Sequence, residues 1–139
     1  DSQQELFNES AINEDVSSIF FDANGDQQDD LLVASGGNEF LNGAPLKPRL
    51  YINNNGTFSK DTLAFNTIEL NASKISVNDF DNDGDNDVVI TSDQEPSAYG
   101  ITPEQYFFTN NGNGKFKNEI DTIAPDLKLL GNVKDMLLI

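Results

Sequence analysis

The 139-residue chain contains no cysteine and no histidine. The first absence excludes disulfides, thiolate nucleophiles and cysteine zinc sites. The second removes the Ser–His–Asp triad, imidazole metal ligands and the usual neutral-pH general base. Basic residues are scarce: Arg49 is the one arginine, and 8 basic residues stand against 24 acidic ones. The formal net charge is −16 and the isoelectric point is near 4.1. Such a chain repels phosphate backbones and anionic lipid, so no nucleic-acid partner is expected. No run approaches the ~18 apolar residues of a spanning helix, so membrane insertion is not expected either. What remains is chemistry by carboxylates, amides and backbone, and that favours hard cations.

The composition is polar, with 37% apolar residues and a mean hydropathy of −0.47. Phenylalanine nevertheless occurs ten times and apolar clusters recur, which argues for a packed core over disorder. The length suits one ordinary domain and not two. The N-terminus, DSQQELFNES, has neither a basic segment nor an apolar one. The expectation is that a leader has been removed or that the chain is cut from something longer.

Aligning the chain with itself reveals a repeat. Phe20 to Ser35 is FFDANGDQQDDLLVAS, and Val77 to Ser92 is VNDFDNDGDNDVVITS. Asp22 and Asp79 lie 57 residues apart. Further on, LYINNNGTF (Leu50 to Phe58) matches FFTNNGNGKF (Phe107 to Phe116) with one residue inserted, and Tyr51 and Phe108 are again 57 apart. Two landmarks share one period.

Each unit has the pattern of β structure. Short apolar runs at Val16–Phe21, Leu31–Ala34 and Leu50–Ile52, then at Ile75–Val77, Val88–Thr91 and Tyr106–Thr109, alternate with Gly, Asn and Asp. Asn-Gly pairs at Asn55–Gly56, Asn111–Gly112 and Asn113–Gly114 suit tight hairpin turns. The best helical candidate, Glu119 to Leu130, is interrupted by Pro125. The pattern predicts four antiparallel strands per unit and almost no helix, a unit the size of a propeller blade. The predicted fold is all-β: a fragment of a β-propeller with two complete four-stranded blades and partial flanking ones. Residues 1–14 are assigned to the end of a preceding blade or a linker, with Leu6–Phe7 as its last strand. Residues 15–71 and 72–130 form the two blades, and 131–139 the first strand of a truncated third. Phe58 and Phe116 are expected to be blade-core aromatics.

The acidic loops carry the chemistry. In the second, Asp79, Asp81, Asp83 and Asp87 occupy positions 1, 3, 5 and 9, Asp85 at position 7 offers its carbonyl, and Gly84 at position 6 permits the sharp turn. Ca²⁺ prefers ~6–8 oxygens at ~2.3–2.6 Å, and ligands on alternate residues supply most of them. The first loop places Asp22, Asn24, Asp26 and Asp30 at the same positions, with the Gln28 carbonyl at 7. Gln27 replaces the position-6 glycine there, and a left-handed conformation costs a non-glycine residue roughly 1–2 kcal/mol. A weaker or distorted first site is therefore expected. One Ca²⁺ per loop is the expectation, against the alternative of solvated acidic turns. Two carboxylates ~4 Å apart repel by about 1–4 kcal/mol, so four within nine residues would splay without a cation. An EF-hand is excluded: position 12 holds Val33 and Ile90 where a glutamate is needed, and the flanks are strand-like.

DFDNDGDNDVVI followed by YFFTNNGNGKF resembles the FG-GAP/VCBS repeats of integrin-α-like β-propellers and of their ASPIC/UnbV-type relatives. The resemblance covers nearly the whole chain from about Asp15. It implies an acidic loop between the first two strands of each blade that binds Ca²⁺ on one face. Carried over by position, the implied ligands are Asp79, Asp81, Asp83, Asp85 and Asp87, and Asp22, Asn24, Asp26, Gln28 and Asp30. Such propellers close with about seven blades, within the ~4–8 usual for the architecture. Two cannot close a ring, so the expectation is that faces and edges are left uncovered or are covered by self-association or strand exchange.

The resemblance implies a secreted or cell-surface location (the periplasm being an alternative) and a non-catalytic module that binds a protein or a glycan. The longest non-repeating segments, Gly36–Pro48 and Asp93–Pro103, lie at matching phase and are candidate binding loops or plain connections. The alternative is part of a carbohydrate-active enzyme, a polysaccharide lyase or hydrolase, using carboxylates such as Glu39, Glu95 and Glu104. Nearly all clustered carboxylates are already committed to ion binding, so no enzyme activity is expected.

Overall fold

The computed structural model describes residues 2–37, 39–96 and 98–136. Two four-stranded antiparallel sheets follow each other along the chain. The first contains β1 (Asp15–Phe21), β2 (Asp30–Ser35), β3 (Arg49–Asn54) and β4 (Thr57–Asp61). The second contains β5 (Asn71–Asn78), β6 (Asp87–Gln94), β7 (Tyr106–Asn110) and β8 (Phe116–Asn118). Strand order in each sheet is the order in the chain, so every connection is a hairpin or a meander. The register repeats with the sequence: Phe21 pairs with Asp30 as Asn78 pairs with Asp87, and Ser18 with Val33 as Ile75 with Ile90. The fold is all-β with propeller-type blades, and two sheets leave the ring open.

The blades pack face to face because alternation places apolar side chains on facing surfaces. Phe21, Leu32, Ala34 and Leu50 of the first meet Ile75, Val88, Ile90 and Phe108 of the second in one buried cluster. The connection between sheets joins this core through Phe65, Ile68 and Leu70, none of which the strand pattern marks. Phe65 holds a positive φ of 58°, and its ring lies 4.9 Å from both Phe108 and Phe116. Burying such a side chain contributes about 1.5–3 kcal/mol. At Gly36, after β2, a Cβ would stand 2.5 Å from the Ala72 carbonyl oxygen, so the two backbone segments approach this closely only through glycine.

The outer faces meet the terminal segments. Leu6 and Phe7, predicted as strand, lie in helix α1 (Ser2–Asn8). The side-chain amide of Gln3 donates to the Phe58 carbonyl at 3.0 Å and accepts its N–H at 2.6 Å, so a side chain occupies part of the β4 edge where another strand could pair. Phe7 lies tilted against Tyr51 at 5.1 Å and meets Phe58 edge-on at 6.3 Å. This corrects the equivalence expected of Phe58 and Phe116. Phe116 packs against the inter-blade core, whereas half-buried Phe58 lies on the outward face beneath Phe7. Exposed Val16 and Phe20 line a surface hollow together with Phe7.

Across the second blade, α2 (Ile120–Ile123) and α3 (Pro125–Lys128) are two single turns divided at Pro125, which opens the second of them. Ile120 packs on Val89 and Phe107, with Met136 alongside. Residues 131–136 carry no strand; they cross the blade, with the Val133 N–H donating to the Ser92 carbonyl at 3.1 Å. The strand predicted over 131–139 is thus not formed in its described part, and 137–139 lie outside the described residues.

Candidate metal centre

The acidic loops occupy the two β1–β2 and β5–β6 hairpins. Antiparallel order puts them on one rim, beside the β3–β4 and β7–β8 hairpins. The candidate binding loops emerge from the opposite rim.

Local hydrogen bonds give both loops one skeleton. In the second, Asp79 accepts the N–H groups of Asp83 (3.1 Å) and Gly84 (3.0 Å). Asp81 accepts the Asp83 N–H at 3.1 Å, and Asp83 accepts that of Asp85 at 2.9 Å. In the first, Asp22 accepts from Gly25, Asp26 and Gln27 at 2.7, 3.2 and 2.8 Å. Asn24 accepts the Asp26 N–H at 3.0 Å, and Asp26 that of Gln28 at 2.9 Å. Each loop has two left-handed residues, at positions 4 and 6: Gly25 and Gln27 (φ 81° and 67°), then Asn82 and Gly84 (63° and 99°). Gln27 thus adopts the conformation glycine would take, and the expected distortion of the backbone is absent. Glycine has moved from position 6 to position 4. Asparagine tolerates this region better than glutamine, so a small strain difference stays with the first loop.

Position 9 is the buried anchor. Asp30 and Asp87 are both fully buried, and each carboxylate takes two main-chain N–H donors. Asp30 accepts from Ala23 (3.0 Å) and Asn53 (2.8 Å). Asp87 accepts from Phe80 (2.9 Å) and Asn110 (2.9 Å). Asn53 and Asn110, again 57 apart, are the functional residues that the loop pattern does not reveal. Their signal was the Asn before the hairpin turn in both LYINNNGTF and FFTNNGNGKF.

The structure brings Asp79, Asp81 and Asp87 together: one carboxylate oxygen from each lies within 4.8 Å of the others. Among the described residues this is the one group of three acidic side chains so gathered. Asp83 spends an oxygen on the loop backbone. Asp85 turns its carboxylate toward Gly112, where an added Cβ would come within 2.6 Å of it; that leaves the carbonyl as its contribution to the loop. In the first loop Asn24 stands where Asp81 does, and its amide turns to Asp26 at 3.3 Å. Gln28 sends its amide to the same Asp26 oxygen at 3.4 Å and accepts the Asn55 N–H at 2.7 Å. The first loop therefore has one carboxylate fewer at its ligand positions and satisfies more of its charge internally.

Electrostatics follows the geometry. Desolvation, with the Asp87 and Asp83 charges adding to it, pushes the Asp81 carboxyl above its ordinary 3.8 against the pull of the Asp83 N–H. Burial likewise raises Asp30, opposed by the Asn53 and Ala23 N–H groups and reinforced by Asp26 and Asp22. Oxygen-only donors, crowded carboxylates and a turn that curls them inward form a donor set suited to a hard divalent cation.

The opposite rim is less ordered chemically. Tyr99, Leu41 and Ile101 are exposed there, and Glu104 faces the Lys128 ammonium at 3.9 Å. Among the described residues no helix is long and apolar enough to cross a membrane.

Residues 22–90, from the first aspartate of the first loop into β6, match the FG-GAP-like repeat family. No curated protein and no solved structure matches the chain.

Proposed function

Since residues 22–90 match the FG-GAP-like repeat family, we propose that the chain is a calcium-stabilised, non-catalytic propeller module of an extracellular or cell-surface protein. The observation that carries this reading is the convergence of the Asp79, Asp81 and Asp87 carboxylates. Asp79, Asp81, Asp83 and Asp87, with the Asp85 carbonyl, would hold the second-loop ion. Asp22, Asn24, Asp26 and Asp30, with the Gln28 carbonyl, would hold the first. The ion neutralises clustered charge and rigidifies the rim; it does no chemistry. The exposed apolar residues of the opposite rim then offer a surface for a protein or glycan partner.

Calorimetric titration with CaCl₂, paired with thermal melts in calcium and in EDTA, tests the reading. At free Ca²⁺ ten times the dissociation constant, each site adds about 1.4 kcal/mol to stability. Asp83→Ala should remove most of the calcium-dependent stabilisation and Asp26→Ala less. An isotherm without binding heat and identical melts in calcium and EDTA would sink the proposal; a larger effect of Asp26→Ala would reverse the ranking of the loops.

A further inference from the structure

The two acidic loops are joined across the blade junction. Asn110, which is almost fully buried at the end of β7, donates its side-chain amide to two main-chain carbonyls. One is Asn86 at 3.1 Å, within the second loop; the other is Ala23 at 2.9 Å, within the first. Its main-chain N–H holds Asp87, and its side-chain oxygen accepts the Gly112 N–H at 3.1 Å. Ala23 is equally committed: its own N–H holds Asp30.

The repeat supplies an internal control. Asn53 makes the corresponding bonds inside its own blade: N–H to Asp30, amide to the Asp29 carbonyl at 3.1 Å, and side-chain oxygen from the Gly56 N–H at 2.8 Å. Among the described residues it bonds to no other blade. The cross-blade bond to Ala23 is what distinguishes Asn110.

The hairpin after Asn110 reinforces the link. A Cβ on Gly112 would collide with the Asp85 carboxylate, and one on Gly25 would stand 3.0 Å from the Gly112 carbonyl oxygen. One on Gly114 would touch Asn24 at 3.6 Å. This hairpin, which carries the extra residue of the second copy, is wedged between the two loops by backbone alone.

We propose that the relay Asp30–Ala23–Asn110–Asp87 couples the two loops, so that a cation in either one tightens the other and grips the blade junction, with Asn110 as the positioning residue. The inference rests on the ion-binding reading above. Ordering the shared hairpin costs conformational entropy once; the second ion meets a hairpin already ordered. Coupling of this kind is reciprocal, the same factor acting in both directions.

The test is calcium calorimetry on the full chain and on Asp83→Ala and Asp26→Ala, which isolate the first and second loops. The overall two-ion constant divided by the product of the two single-loop constants gives the coupling factor. We expect at least about fivefold in the unaltered background, a fall to about one with Asn110→Ala, and retention with Asn53→Ala. A factor near one in the unaltered chain overturns the coupling and leaves ion binding intact. So does a factor that survives Asn110→Ala, or one that Asn53→Ala abolishes equally. No binding heat in any chain removes the ion reading and the coupling with it. Should Asn110→Ala not fold, amide exchange on the Asp83→Ala chain decides. Calcium in the first loop should slow exchange at Gly112 and Asn113 of the second blade, and unchanged exchange there overturns the relay.

Discussion

Asp87 and Asn110 lie 23 residues apart and are joined by a main-chain N–H donating to a carboxylate oxygen at 2.9 Å. The second oxygen of Asp87 holds the Phe80 N–H, so this fully buried side chain satisfies two donors from different hairpins. An amide cannot replace it. In Asp87→Asn one N–H faces an NH₂ donor, and a buried unsatisfied donor costs about 1–3 kcal/mol. Urea unfolding in EDTA should show a loss of that size, and unfolding in calcium a larger one. Equal stability in EDTA would mean that the N–H groups find other acceptors.

The left-handed positions separate backbone strain from packing. Gly84 and Gly25 both have positive φ, but a Cβ on Gly84 meets nothing within 4 Å, whereas one on Gly25 meets the Gly112 carbonyl. Gly84→Ala should lower stability by about 1–2 kcal/mol, the cost of the conformation alone. Gly25→Ala should cost more, because a backbone atom of the other blade must move. Melts in EDTA compare the two directly, and the reverse order would argue against the wedged hairpin.

Phe65 connects the sheets and supports the core between them. Its ring meets Phe108 edge-on and Phe116 in a stack, both at 4.9 Å. Phe65→Ala should cost about 3–5 kcal/mol while leaving the β spectrum unchanged below the midpoint. Phe58→Ala, at the half-buried outward position beneath Phe7, should cost distinctly less. Denaturant midpoints for the pair would reveal whether the main core lies between the blades.

Strand positions and both acidic loops were legible because their signals are local. Alternation fixes which residues face the core, and oxygen donors on alternate residues mark a loop that can curl round a cation. A repeat of 57 residues then doubled each signal. The helices were not legible in this way. α1 has 7 residues and α2 and α3 have 4 each, far below the ~12–15 at which local propensity sustains a helix. Their form depends on what they cover, and Leu6–Phe7 can therefore suit a strand as readily as a helix. The Asn53 and Asn110 clamps were hidden for another reason. Asparagine before Asn-Gly suggests a turn, and only the folded hairpin shows its N–H aimed at a carboxylate more than twenty residues upstream.

The turn between β8 and α2 is pinned at Glu119, and its charge makes that pin pH-dependent. The Lys117 ammonium donates to one Glu119 oxygen at 2.6 Å and the Thr109 hydroxyl to the other at 2.9 Å. The Lys117 bond foremost, with Thr109 second, holds the Glu119 carboxyl below its ordinary 4.5. A carboxylate whose folded value is depressed contributes stability that is present above the unfolded value and lost as pH falls through the folded one. Glu119→Gln should therefore melt lower than the unaltered chain at neutral pH, and the gap should close as pH drops below 4.5. Both chains carry the same acidic loops, so in EDTA their protonation cancels in the difference. Raised salt should narrow the neutral-pH gap, since Lys117 is largely exposed and its attraction is screened. A gap that persists unchanged at pH 3 would assign the pin to hydrogen-bond geometry and not to charge.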